Sequence, residues 1–157
     1  MFSLIAPYLD IAVITVVVFV AAASGGIFAP GQWYETLNKP SWTPPDWAFP
    51  LVWTVLYIMI AAAGVIIWRE QGFGPAMIAW TAQLVLNGAW SWLMFGLKQI
   101  GLALADAGGM VIAIVAFMAL AWPVSQTAAL LFVPYLAWTL TAFFLNLRIL
   151  QLNPSIA

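Results

Sequence analysis

The chain has 157 residues, 66% of them hydrophobic and 6% charged, with ten tryptophans and neither histidine nor cysteine. A soluble domain carries about a quarter charged residues to cover its surface, so this composition excludes a water-soluble domain and describes an integral membrane protein. Disulfides, thiolate zinc sites and imidazole chemistry are excluded with their residue types. Four Lys and Arg against five Asp and Glu form no basic patch with which to bind nucleic acid.

A bilayer crossing needs about 20 apolar residues, so the runs between charges mark the spans. The charged positions are Asp10, Glu35, Lys39, Asp46, Arg69, Glu70, Lys98, Asp106 and Arg148, which leave charge-free runs at 11–34, 47–68, 71–97 and 107–147. Pro123 and the polar Ser125-Gln126-Thr127 divide the last run at a hairpin. The pattern predicts an all-α bundle of five transmembrane helices, at about 5–27, 48–69, 75–96, 101–122 and 127–150, in one domain over 1–157.

The first helix ends in Ala21-Ala22-Ala23-Ser24, which looks like a signal-peptidase site. No Lys or Arg precedes it, so it is expected to be a retained span. The loop that follows, Phe28 to Trp47, is stiffened by Pro40, Pro44 and Pro45. It carries Trp33, Tyr34, Trp42 and Trp47, which form either an interfacial aromatic belt or a lid closing over a cavity in the bundle.

Polar side chains within a span turn away from lipid. Helix 2 presents Trp53 and Tyr57 on one face, helix 3 presents Gln83, Asn87, Trp90 and Ser91, and helix 5 presents Trp138, Ala142 and Asn146. The amides serve as interhelical hydrogen-bond glue or as pocket donors. Asn146 fits the first role, whereas Trp53, Asn87 and Trp138 share their stripes with further rings or small residues and fit the second. A pocket of rings with a few N–H donors suits a large, flat, mostly apolar ligand. Helix 4 carries a small-residue ridge, Gly101, Ala105, Gly109 and Ala113, for close helix packing within the bundle or against a second copy. Beside it stands Asp106, without a second carboxylate at helical spacing. Lys39, Lys98 and Arg148 fall on one side of a five-span chain and Arg69 on the other, which places the first loop and the C-terminus in the cytoplasm.

Several stretches carry a family resemblance: Trp33-Tyr34, Leu37-Asn-Lys-Pro-Ser-Trp-Thr-Pro-Pro-Asp-Trp47, Pro50-Leu-Val-Trp-Thr-Val-Leu-Tyr57, Gln83-Leu-Val-Leu-Asn-Gly-Ala-Trp90, Phe95-Gly-Leu-Lys-Gln99, Val133-Pro-Tyr-Leu-Ala-Trp138 and Leu145-Asn146. In order and spacing the sequence resembles the tryptophan-rich sensory protein, or TspO/MBR, family, which includes the mitochondrial translocator protein. The resemblance implies a five-helix bundle, usually dimeric, whose cavity is capped by the first loop and takes porphyrins, benzodiazepine-type ligands and, in animal members, cholesterol. It assigns pocket roles by position to Trp53, Tyr57, Asn87, Trp138 and Ala142, and to the loop aromatics Trp33, Tyr34, Trp42 and Trp47. Two departures stand out. The tyrosine that animal members carry before the arginine near the end of helix 5 is Leu147 here, followed by Arg148, and Ser41 replaces a tryptophan found in some bacterial members. A bacterial-type member handling tetrapyrroles fits better than a cholesterol carrier.

The expected function is a membrane receptor or carrier for protoporphyrin IX, haem-like tetrapyrroles and benzodiazepine-type ligands that regulates tetrapyrrole metabolism and the stress response, in a homodimer within a bacterial membrane. The alternatives are light- or oxidant-dependent porphyrin degradation and a sterol- or lipid-binding transporter. No covalently bound cofactor is expected; porphyrin enters as a ligand. Nothing in the sequence supplies acid–base or metal catalysis.

Overall fold

The computed structural model describes residues 8–154; the part of the first predicted helix before residue 8 lies outside the described residues. The elements are α1 (Leu9–Ile27), a single turn α2 (Gln32–Glu35), α3 (Ala48–Gln71), α4 (Pro75–Ser91), α5 (Ile100–Ala121), α6 (Gln126–Leu130) and α7 (Val133–Leu152). Among the described residues there is no strand. Four stretches, Leu9–Ile27, Ala48–Gln71, Ile100–Ala121 and Gln126–Leu152, are long and apolar enough to cross a membrane.

Local chemistry sets the boundaries. The α3 helix ends where Gly72 takes φ 67°, a left-handed conformation that glycine adopts without Cβ strain, and its N–H closes on the Trp68 carbonyl at 2.9 Å. Pro75 opens α4 at a position where no N–H is needed. Ser125 caps α6 by accepting the Ala128 N–H at 3.3 Å. The segment predicted as one helix over 127–150 breaks after Leu130, because Pro134 has no N–H to donate to the Leu130 carbonyl. The end of α4 widens into a π-helical turn, Trp92–Gly96, where the Leu97 N–H reaches the Trp92 carbonyl at 2.8 Å. Lys98 leaves that turn at φ 58°.

Within the bundle, α4 packs along α5 and α1, α5 along α7, and α1 along α3. The core is apolar: Ile60, Ala63 and Ile67 of α3, Met77, Trp80 and Leu84 of α4, and Met110, Ile114 and Phe117 of α5. The buried face of α5 is Ile100, Ala103, Ala107, Met110, Ile114, Phe117 and Ala121, alternating steps of three and four as an inward seam requires. Gly101 and Ala105 of the predicted ridge lie on an exposed side of that helix, while Gly109 sits against Leu86. The α1 helix buries only Ile14, Val18 and Ala21.

One close approach fixes the α3–α4 crossing. The Trp80 indole donates to the Ile60 carbonyl at 2.9 Å, and its six-membered ring lies over Gly64, where a Cβ would stand 2.7 Å from Cε2 and Cζ2. Because Trp80 is itself buried and its indole N–H is bonded to Ile60, the ring cannot shift without losing that bond. Gly64→Ala is therefore expected to destabilise the bundle by about 1–3 kcal/mol, seen as a lower melting temperature in detergent; an unchanged melting temperature contradicts this packing.

Candidate functional site

The predicted site residues fall into three groups, the first of which is a directed chain of hydrogen bonds at the centre of the bundle. The Tyr57 hydroxyl donates to Asn87 Oδ1 at 2.7 Å. Asn87 Nδ2 donates to the Tyr135 hydroxyl at 3.1 Å, which donates in turn to Gln83 Oε1 at 2.8 Å. Gln83 Nε2 ends the chain on the Trp80 carbonyl at 2.8 Å. The chain ties α3, α4 and α7 together and matches the hydroxyls of Tyr57 and Tyr135 with the amides of Asn87 and Gln83. Trp53 stacks on Tyr57, with ring centroids 5.4 Å apart, and meets Tyr135 edge-on at 6.1 Å.

The second group lies where the first loop meets the bundle. Trp90 donates from its indole to Asn146 Oδ1 at 3.2 Å, and Asn146 Nδ2 donates to the Ile100 carbonyl at 3.0 Å. Phe95 stands edge-on to both Trp90 and Tyr34, so the π-helical turn carries the ring that joins loop to bundle. Trp33 and Tyr34 pack with Leu37, Met94, Ile100 and Ile149. Burial, with a smaller contribution from Asp46, pushes the Tyr34 hydroxyl above its ordinary pKa. The ring therefore stays neutral beneath the Lys39 ammonium, 4.5 Å from its centroid. Lys39 also donates to the Tyr34 carbonyl at 2.7 Å, and Lys98 lies 5.9 Å from the Trp33 ring. The loop is pinned at Asn38, whose N–H donates to Asn153 Oδ1 at 3.0 Å while Asn153 Nδ2 returns to the Asn38 carbonyl at 2.9 Å.

The third group is Trp138 and its surroundings. With Leu51, Val52 and Val55 of α3 and Pro134, Ala137 and Thr141 of α7, it lines an apolar groove of about 510 Å³. Phe49 braces the indole edge-on at 5.5 Å. Trp138 Nε1 is buried without a hydrogen-bond partner among the described residues, as are Asp106 Oδ2 and Thr139 Oγ1. A buried donor left without a partner is a costly arrangement. Ala142 lies one turn beyond Trp138, half-buried.

The structure thus brings Trp53, Tyr57 and Asn87 together, and separately Trp33, Tyr34 and Trp90. Trp42 and Trp47 stand apart, 48% and 67% exposed. Tyr135, the hub of the central chain, carried no role in the sequence reading. The available signal was a phenol in an apolar span, whose hydroxyl must find a partner. Met110, with its sulfur 3.3 Å from that hydroxyl, gives no sequence signal at all. No group of three or more Asp and Glu able to hold a metal occurs among the described residues.

Comparison with known proteins agrees with the resemblance. The sequence model of the TspO/MBR family matches residues 12–152. The chain is similar to the tryptophan-rich sensory protein of Cereibacter sphaeroides, at 39% identity over 84% of each chain. It is similar to the tryptophan-rich protein TspO of Chlorobaculum tepidum at 43% identity, over 80% of this chain and 82% of that one. The translocator protein of Bos taurus is 41% identical, over 78% of this chain and 75% of its own.

The hydrogen-bond chain makes a graded prediction. Tyr135→Phe leaves both Gln83 Oε1 and an Asn87 N–H unmatched, at a cost of about 1–3 kcal/mol, whereas Tyr57→Phe leaves only Asn87 Oδ1. Denaturant titration in detergent should find Tyr135→Phe the more destabilised of the two, and the reverse order contradicts the hub.

Proposed function

From its membership of the TspO/MBR family, to which the chain belongs, we propose that this membrane protein is a receptor or carrier for porphyrins, with protoporphyrin IX as the type ligand. The observation that carries the reading is the buried, unpartnered indole N–H of Trp138 at the edge of the apolar α3–α7 groove. A porphyrin is a flat apolar disc with two carboxylates. Its ring fits an apolar groove whose one aromatic wall is the Trp138 indole, and its ring-edge acceptors answer the orphaned donor. The groove volume of about 510 Å³ is in the range of small-molecule sites, about 300–1,000 Å³.

In this reading α4, with its 17 residues continued by the π-helical turn, is a fifth crossing. The first loop, fastened by Asn38 to Asn153, caps the end of the bundle, and Lys39 and Lys98 offer positive charge at that end for the propionates. With no histidine or cysteine in the sequence, strong axial ligation of a haem iron is not supplied by those side chains, which favours a metal-free porphyrin. The central chain through Tyr57, Asn87 and Tyr135 sets the pose of Trp53, which stacks on Tyr57. The function that follows is the handling or sensing of tetrapyrroles.

Quenching of tryptophan fluorescence by protoporphyrin IX in liposomes tests this, since ten tryptophans leave ample signal after one is removed. Trp138→Phe should weaken binding by up to about tenfold, the worth of one aromatic contact, and Trp53→Phe should weaken it less. Unchanged affinity in both single variants and in the double variant overturns the site.

A further inference from the structure

At the end of the bundle remote from the first loop, residues of α1, the end of α3 and the start of α4 line a second groove of about 900 Å³. Its lining includes Val13 and Val17 of α1 and Met77 and Trp80 of α4, with Asp10 and Arg69 at one end. These two residues form an ion pair. Arg69 Nε meets Asp10 Oδ2 at 2.5 Å, with the arginine side chain 49% exposed and the aspartate 15%, and Arg69 Nη2 meets Oδ1 at 3.2 Å. The two charges stand in the last turn of α3 and the first turn of α1, where spans leave the hydrocarbon for the headgroup layer.

This groove differs in kind from that of Trp138. It has an apolar trough and, among its described lining residues, a positive and a negative charge at one end, Arg69 and Asp10, at headgroup depth. From Asp10 to Val17 the trough runs about 10 Å along α1 at about 1.5 Å per residue, enough for half an acyl chain. A net anionic lipid meets attraction from Arg69 and repulsion from Asp10. A headgroup that itself carries a phosphate and an ammonium meets attraction from both. We propose that the α1–α4 groove is a binding site for a zwitterionic phospholipid with a primary amine, its acyl chain along Val13, Val17, Met77 and Trp80, its phosphate at Arg69 and its ammonium at Asp10.

The site is independent of porphyrin. It makes the lipid a wedge between α1, the least buried of the long helices, and the rest of the bundle, so occupancy stabilises the folded protein by mass action. The test uses the full chain, delipidated in detergent, with lipid retention read by native mass spectrometry and by thermal shift. Three lipids with identical acyl chains are compared: phosphatidylethanolamine, phosphatidylglycerol and diacylglycerol. Phosphatidylethanolamine should bind more tightly than phosphatidylglycerol by about fivefold, the scale of one exposed ion-pair contact, and more tightly than diacylglycerol. Asp10→Asn should abolish the preference over phosphatidylglycerol, and Arg69→Gln should weaken both phospholipids. Val13→Trp, which fills the trough and leaves the ion pair in place, should displace all three. Equal binding of the three lipids to the unaltered protein, or full phosphatidylethanolamine retention by Val13→Trp, overturns the proposal even where the charge variants fail to fold. Porphyrin quenching in the same samples should be unaffected by Val13→Trp, so failure at either site is read separately.

Discussion

The hydroxyl of Tyr135 is the point on which the bundle turns. Fully buried in α7, it accepts from Asn87 and donates to Gln83, two amides one turn apart on α4. An unmatched polar group in an apolar interior costs more than a made hydrogen bond gains, so each polar side chain here is admissible only in the company of the others. The arrangement sets the rotation of α7 and α4 about their axes and, through Tyr57, that of α3. Trp53 and Tyr57 owe their stacked pose to it.

A second set of amides does the same for the loop. Asn146 bridges Trp90 to the first carbonyl of α5, and Asn153 treats the backbone of Asn38 as a neighbouring strand would, accepting its N–H and donating to its carbonyl. A proline-rich segment offers few N–H groups for pairing with itself, so a side-chain amide at the end of α7 provides the anchor. Trp42 and Trp47 lie beyond that anchor on the exposed part of the loop. The loop therefore has a fastened half, from Trp33 to Lys39, and an outer half that carries two exposed rings.

Much of this was legible in the sequence because a membrane simplifies the code. Charge-free runs bounded by Asp10, Glu35, Asp46, Arg69, Lys98 and Arg148 mark the apolar stretches, and spacings of three and four pick out Gln83, Asn87, Trp53 and Tyr57 as inward residues. Three features were not legible. The break between α6 and α7 depends on one missing N–H at Pro134, which hydropathy does not register. The π-helical turn at Trp92–Gly96 lies within a run that reads as ordinary helix. Tyr135 was passed over because a single phenol is compatible with an apolar stripe, and only the three-dimensional meeting of α4 and α7 makes its hydroxyl indispensable. The ridge of Gly101 and Ala105 shows a different limit: small residues permit close approach, within the bundle or against a second copy, but do not state which side of a helix will use it, and within this chain Ile100 and Ala103 take the inward face.

The central claim is that a flat acceptor-bearing ring occupies the groove beside Trp138. Two-dimensional ¹⁵N–¹H spectra of the indole groups, assigned by single Trp→Phe replacements and recorded while protoporphyrin IX is titrated in, test it most directly. The account predicts a large shift of the Trp138 indole resonance, with Trp68 and Trp122 undisturbed on the exposed surface. A Trp138 resonance that stays in place while porphyrin binds contradicts it.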